Sequence, residues 1–416
     1  MNDNHTRYVS NYKQRLITEQ LSSAIKDHPA VVLTGARQVG KSTILLRDPL
    51  FKGWQYYTFD DFSLVSQANE DPSSLWLGKS NVILDEVQKV PALLSAIKQS
   101  IDKARGETRF VLSGSANLLL MHQIEESLAG RAVFFQLYPM TCGEMACTSR
   151  GNILKELLSG KIPEQTTVMP RSDMFALMLQ GFMPPLMTLS SDEARLRWWE
   201  GYIATYLERD LRQLSQIDSM SDFRNVMTAT ALRSGQLLNQ TEISRDLKIT
   251  QPKVFRYLNL LEVSCLLKRV PAYTKSRTKR LVKAPKAYFI DPALTSYLCG
   301  YFDKEQLKSA REVGQIFESL VLLHLMVHSE QMVPSARIFY WRTVTGKEVD
   351  FVIEYGNKLL PIEVKLSSKA DYSDTGGLRA FMEEYPNVSH GIIIYTGHEC
   401  KRITEKITAL PVSCLF

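Results

Sequence analysis

No apolar run in this 416-residue chain reaches the ~20 residues needed to cross a bilayer, so a membrane-spanning role is not expected. The opening residues, Met1-Asn2-Asp3-Asn4-His5, lack the apolar core of a secretory signal. The six cysteines (Cys142, Cys147, Cys265, Cys299, Cys400 and Cys414) make neither a C-x-x-C pair nor a regular framework, which argues against a zinc site and a disulfide scaffold. A reducing, cytoplasmic setting is the expectation. Excess charge is also scarce: 50 Lys and Arg against 44 Asp and Glu leave a formal charge of +6, which permits nucleic-acid contact without requiring it. Internal repeats and low-complexity segments are missing. The 44% hydrophobic and 23% charged content is that of an ordinary globular chain, and its length suggests two to four domains of about 100–200 residues.

What is present is organised around Gly35-Ala36-Arg37-Gln38-Val39-Gly40-Lys41-Ser42-Thr43, between the apolar run Val31-Val32-Leu33-Thr34 and the helix-compatible Ile44-Leu45-Leu46. The stretch matches G-x-x-x-x-G-K-[ST] at every fixed position and in the required strand-loop-helix context. Glycines at 35 and 40 let the backbone turn so that N–H groups face phosphate oxygens, Lys41 adds a mobile charge, and the Ser42 hydroxyl suits Mg²⁺. ATP and Mg²⁺ are the expected ligands. Downstream, Asn81-Val82-Ile83-Leu84-Asp85-Glu86 reads as a buried strand tipped by two acids. Asp85 would complete the Mg²⁺ shell and Glu86 would orient or deprotonate the attacking water.

Alternation of strand and helix continues. Gln55–Phe59 reads as a strand, Val65–Trp76 as a helical connection, Ala92–Arg105 as a helix and Arg109–Asn117 as a buried strand in which Ser115 is the first candidate near a γ-phosphate, with Asn117 the alternative. A fifth strand is expected over Ala132–Leu137, and the whole predicts a doubly wound parallel sheet. With G-A-R-Q-V-G-K-S, L-D-E-V-Q, L-S-G-S and S-L-A-G-R, residues 30–140 resemble the AAA-type branch of P-loop ATPases, in particular a bacterial and archaeal family with a partly characterised C-terminal domain. That resemblance implies an arginine serving a neighbouring subunit, and Arg131 stands where it would be; a surface arginine paired with Glu125 or Glu126 is the alternative.

Residues 1–140 are thus expected to form the ATPase core and 141–221 a helical lid. In the lid, Leu196, Trp199, Ile203, Tyr206, Asp210 and Leu214 fall on one helical stripe over Arg195–Leu214, and Arg209 resembles a lid arginine that reaches the nucleotide, a solvated face shared with Glu208, Asp210 and Arg212 being the alternative. Residues 222–291 read as a winged helix-turn-helix. The helices are Phe223–Ser234, a second capped by Thr241, and Pro252–Leu261, followed by two strands around a basic wing. Between Lys268 and Lys286 there are eight Lys or Arg and no acid. Gln251, Lys253 and Arg256 on the third helix, with Lys275, Arg277, Lys279 and Arg280 on the wing, are the candidate DNA contacts; an assembly module with a solvated basic loop is the alternative.

Residues 292–416 hold a second candidate centre. Glu348–Glu354 and Lys358–Lys365 alternate across Tyr355-Gly356-Asn357 as a β-hairpin, which sets Glu363 and Lys365 on one face and Asp350 at the start of the first strand. Converging carboxylates beside a lysine suit a divalent cation. The arrangement resembles the D…E-x-K core of the PD-(D/E)XK nucleases, with Val349 in place of the proline and with Glu318 matching the acid of the leading helix. The resemblance implies metal binding by Glu318, Asp350 and Glu363, cleavage of nucleic acid with Lys365, and a restriction-endonuclease-like α/β fold; a fold used only for packing or docking is the alternative. The expected function is ATP hydrolysis linked to DNA, and the rival is a nucleotide-dependent switch that docks a protein. Both a homo-oligomeric ring and a monomer are compatible with this sequence.

Overall fold

In the computed structural model, which describes residues 12–104, 108–114, 127–148, 151–163, 173–205 and 217–416, the apolar run ahead of the glycine loop forms β1, Ala30–Gly35, buried along its whole length. It is followed by β2 (Gln55–Thr58), β3 (Asn81–Asp85), β4 (Arg109–Ser113) and β5 (Ala132–Leu137). All pair in parallel, in the order β2-β3-β4-β1-β5. Buried β-branched and aromatic strands of this kind need helices on their faces. Phe62–Glu70 and Ala92–Ala104 supply one of these layers, closing a core of Val32, Leu84, Phe110, Leu112, Leu93 and Ile97.

Two boundaries differ from the sequence reading. The connection after β2 is helical over Phe62–Glu70 and not Val65–Trp76, because the Asp61 carboxylate caps it by accepting the Ser63 N–H at 2.8 Å and Pro72 follows its end. The N-terminal helix spans Thr18–Asp27 and not the Tyr12–Lys26 that the spacing of Leu16, Leu21 and Ile25 suggests.

The chain divides into two compact units, Met1–Met140 with Val263–Cys265 and Thr141–Glu262 with Leu266–Phe416. The second begins with the short helices Cys142–Ala146, Ile153–Leu158 and Met174–Gln180, then Asp192–Tyr202, in which Trp199 and Tyr202 are buried. Tyr206, Asp210 and Leu214 of the expected lid stripe, and Arg209 beside it, lie outside the described residues, as do Ser115 and Asn117.

Three further helices follow, Met220–Ala231, Gln240–Leu247 and Gln251–Val263. The cap of the middle one is Asn239, whose side chain accepts the Glu242 N–H at 3.1 Å, and Thr241 falls inside the helix. Strands β6 (Leu267–Val270) and β7 (Lys286–Phe289) pair antiparallel, but the segment between them is not a plain loop: Arg277–Val282 is helical, capped by Ser276. Nor does the segment stand free. Tyr340 N–H donates to Pro271 O at 3.0 Å, Tyr273 N–H donates back to Tyr340 O at 2.6 Å, and the Tyr273 ring packs with Phe339, Phe381 and Tyr385.

These contacts fasten the segment to a second, six-stranded sheet. The mostly apolar helix Val313–Glu330 precedes β8 (Arg337–Arg342), β9 (Glu348–Tyr355) and β10 (Lys358–Lys365); then come the helix Gly376–Glu384, β11 (Gly391–Tyr395), β12 (Lys401–Arg402) and β13 (Ile407–Pro411). The order is β12-β13-β11-β10-β9-β8, antiparallel from β8 to β10 and parallel from β10 through β11 to β13. The expected hairpin is present, with Tyr355 opposite Lys358 and Gly356 in the left-handed region at φ 60°. Among the described residues no helix is long and apolar enough to cross a membrane.

Candidate functional sites

The glycine loop leaves the C-terminal tip of β1 and closes on the helix Lys41–Arg47. Its shape is tied to its neighbours. A Cβ on Gly35, where φ is +147°, would lie 2.3 Å from Leu137 O at the end of β5. Gly40, at φ 101°, caps the helix. Arg15 is buried and joins the two sides, its guanidinium donating to Val39 O at 3.0 Å and to Tyr138 O at 2.7 Å.

Lys41 is buried at the base of the loop, and its ammonium donates to Gly35 O and Ala36 O at 3.0 and 2.9 Å. Burial lowers its pKa, an effect opposed by the charges of Glu86 and Asp85. Asp85 is buried at the tip of β3 and accepts the Tyr56 hydroxyl at 2.6 Å. Glu86, at φ 59°, is turned out of the strand and hydrogen-bonds Gln88. Burial first, and Asp85 second, raise its carboxyl above the usual range.

Two groups here escaped sequence reading. Tyr56 reaches Asp85 because β2 and β3 are neighbours, a pairing with no local signal. Ser113 stands in register with Asp85, and its buried hydroxyl has no hydrogen-bond partner among the described residues. A glycine loop at the start of a helix, a buried ammonium, an acid pair and a spare hydroxyl together fit a nucleotide phosphate with its Mg²⁺. Of the remaining loop residues, Arg37, Gln38 and Thr43 are exposed, Ala36 and Val39 are buried, and Ser42 is half-buried beside them.

Arg131 lies at the other end of the sheet. Its neighbour Ala132 pairs with Ala30, so the length of β1, roughly 16 Å, separates it from the loop. Its guanidinium makes a two-pronged contact with Asp102, at 2.6 and 2.9 Å. Asp102 therefore takes the place that the sequence reading offered to Glu125 or Glu126, which lie outside the described residues.

Apolar strand, glycine loop, acid-tipped strand and five-stranded parallel sheet define residues 27–146 as an AAA-type P-loop ATPase domain, and this segment matches a family model described as an AAA domain. Residues 171–305 and 313–415 match two models described as domains of unknown function, DUF8612 and DUF4143. The chain is similar to an uncharacterised protein of Mycobacterium tuberculosis, 28% identical over 401 residues that cover 96% of this chain and 83% of that protein. It is also similar to an uncharacterised protein of Haemophilus influenzae, 22% identical over 404 residues and 91% of each chain. A Walker-type ATPase of Pyrococcus abyssi aligns with a TM-score of 0.46 at 16% identity, covering 70% of this chain and 98% of that one.

The candidate DNA contacts separate into two groups. Lys253 pairs with Asp222 at 2.7 Å and Arg256 with Asp218 at 2.6 Å, so two carboxylates offset the cations on that helix face. Arg280 is anchored inside the fold, donating to both oxygens of Glu354 at 3.0 Å and lying over the rings of Tyr273 and Phe339. With side chains only 10% and 19% exposed, this pair is structural. Arg280→Ala strands a largely buried carboxylate and is expected to cost about 3 kcal/mol in urea unfolding; a change under about 0.5 kcal/mol, the size of an ordinary surface substitution, would contradict the assignment. Gln251, Lys275, Arg277, Lys279 and Lys283 are exposed.

In the second unit, Glu318, Asp350, Glu363 and Lys365 do come together. Asp350 accepts the Val364 N–H at 2.8 Å, and Glu363 accepts the Lys365 ammonium at 2.9 Å. Burial, then the neighbouring acids, push Glu318 and Glu363 up, and burial likewise raises Asp350. Lys286, Glu348 and Tyr288, which sequence reading did not assign to this centre, join them. Tyr288 donates to Glu318 at 2.7 Å, and the ammonium of Lys286 contacts Glu348 while lying 3.8 Å from Asp350 and 3.9 Å from Glu318. Burial opposes the charge on Lys286, but Glu318, Asp350 and Glu348 outweigh it and raise its pKa overall. A Mg²⁺ therefore does not fit this arrangement with Lys286 in place, and among the described residues no group of three or more His, Cys, Asp or Glu is set to hold a metal ion.

Proposed function

We propose that this chain binds and hydrolyses ATP and acts on DNA. The observation that carries the first part is buried Lys41 at the base of the glycine loop, bonded to Gly35 O and Ala36 O within electrostatic reach of Glu86 and Asp85. In this reading, backbone N–H groups of residues 35–43 cradle the phosphates and Lys41 offsets their charge. Ser42 and Asp85 hold Mg²⁺, which neutralises phosphate charge when bound. Glu86 takes a proton from the attacking water or orients it, a task suited to a carboxyl whose pKa is raised by burial. Arg131, Ser115 and Arg209 are proposed to complete the site, Arg131 from a neighbouring subunit because its own loop lies a strand length away.

The DNA part rests on the order of three helices and two paired strands over residues 220–289, which supports a winged-helix reading, and on Lys275, Arg277, Lys279 and Lys283 exposed along one segment. Exchange of Arg277 and Lys279 for alanine is expected to weaken duplex binding similarly for all sequences and to lower the slope of log affinity against log salt by about 1 per residue. An unchanged slope in fluorescence anisotropy would move the DNA elsewhere. Helix, hairpin, helix and strand in the order seen over 313–395 support a nuclease-like reading of the C-terminal centre, tested by Mg²⁺-dependent cleavage that Asp350→Asn must abolish.

One observation favours the second reading, a nucleotide-dependent switch. Leu281 and Val282 on the basic segment are 85% and 79% exposed, an apolar pair suited to a protein partner. Absence of DNA binding at low salt, with ATP still hydrolysed, would select it.

A further inference from the structure

We infer that Lys286 is the resident cation of the C-terminal carboxylate centre, and that this centre takes up a divalent metal only when the ammonium leaves. The inference rests on the nuclease-like reading of the centre and concerns how it is controlled.

Lys286 comes from β7 and is held on both edges, opposite Val270 in the β6–β7 pair and in a bridge to Leu237. Its side chain is 3% exposed, so no water shell stabilises the charge. The carboxylates do so instead: Glu348 in direct contact, Asp350 and Glu318 just beyond. Other donors take further oxygens of the cluster. Tyr288 serves Glu318, the Val364 amide serves Asp350, Lys365 serves one oxygen of Glu363, and Arg342 lies 3.5 Å from Glu348. The second oxygen of Glu363 is buried with no hydrogen-bond partner among the described residues.

That leftover acceptor beside Asp350 and Glu318 is what a cation site would use. Yet two of the three carboxylates that a metal would need, Asp350 and Glu318, already face the Lys286 ammonium, and the third, Glu363, accepts that of Lys365. A divalent ion and Lys286 repel one another and share these oxygens, so occupancy by one excludes the other.

The test uses the nucleotide-free, full-length chain and Mn²⁺ as the probe, followed by electron paramagnetic resonance. Lys286→Met keeps the apolar stem and removes the charge. It is expected to gain a Mn²⁺ site with apparent affinity about tenfold or more above wild type, as follows when a competent state is only fractionally populated. Lys286→Arg should not gain it, and adding Asp350→Asn to Lys286→Met should remove it. Equal Mn²⁺ affinity in wild type and Lys286→Met, lost from both with Asp350→Asn, overturns the inference. Should Lys286→Met fail to fold, as judged by circular dichroism, acylation of wild-type lysines read by mass spectrometry decides. Lys286 is expected to react about tenfold or more slowly than Lys279 and Lys283, as its burial among carboxylates dictates, and an equal rate overturns the claim. Mn²⁺ uptake by Lys286→Met without DNA cleavage keeps the inference and removes the nuclease reading. Mg²⁺-dependent cleavage by wild type that Asp350→Asn abolishes, together with equal Mn²⁺ affinity in wild type and Lys286→Met, keeps the nuclease reading and overturns the inference.

Discussion

Lys41→Ala is expected to lower ATP turnover by roughly 10²–10³-fold, the loss typical when a preorganised positive group facing developing charge is removed. The ammonium donates to Gly35 O and Ala36 O, which ties the turn of the loop to the start of the helix. Nucleotide phosphates would draw it forward and exchange those carbonyl contacts for stronger charge-assisted ones. Two effects therefore combine in the variant, a loosened loop and an unneutralised phosphate. Turnover at the wild-type rate in a coupled phosphate-release assay would remove Lys41 from the machinery and with it the assignment of the loop.

Glu86→Gln separates binding from chemistry. The amide keeps the shape and the contact with Gln88 but cannot accept a proton, so turnover should fall by about 10²–10⁴-fold while ATP is still bound. A nucleotide left intact on the protein after gel filtration would be the mark of this variant; loss of both binding and turnover would instead make Glu86 a structural residue. The pH profile carries a second sign. Because burial and Asp85 raise the Glu86 carboxyl, the base is lost on acidification at a pH above the usual glutamate range, and turnover falls there. An acid limb at the ordinary value would mean that another group limits the reaction.

The two basic stretches differ in a way that bears on any DNA role. Charges on the third helix of the 220–263 group are offset by Asp218 and Asp222, whereas those at 275, 277, 279 and 283 face solvent. Contact with a polyanion would therefore concentrate on the segment that ends at Lys283, three residues before Lys286 at the start of β7.

Sequence alone determined the features that are local. The glycine loop follows from residues at fixed spacing, because a tight turn, a left-handed glycine and a helix start are all decided within a few residues. The acid-tipped β3 and the hairpin of β9 and β10 were legible for the same reason, since a run of β-branched residues and a period of two report directly on backbone and burial. Tertiary structure decided which side chains meet. Tyr56 reaches Asp85, 29 residues away, only because β2 lies beside β3. Within one basic run, Lys279 faces solvent, Arg280 is locked to Glu354, and Lys286 is buried among acids. A lysine or arginine carries the same charge in each place; what differs is the carboxylate or the water that long-range packing sets beside it, and no neighbouring residue in the chain encodes that.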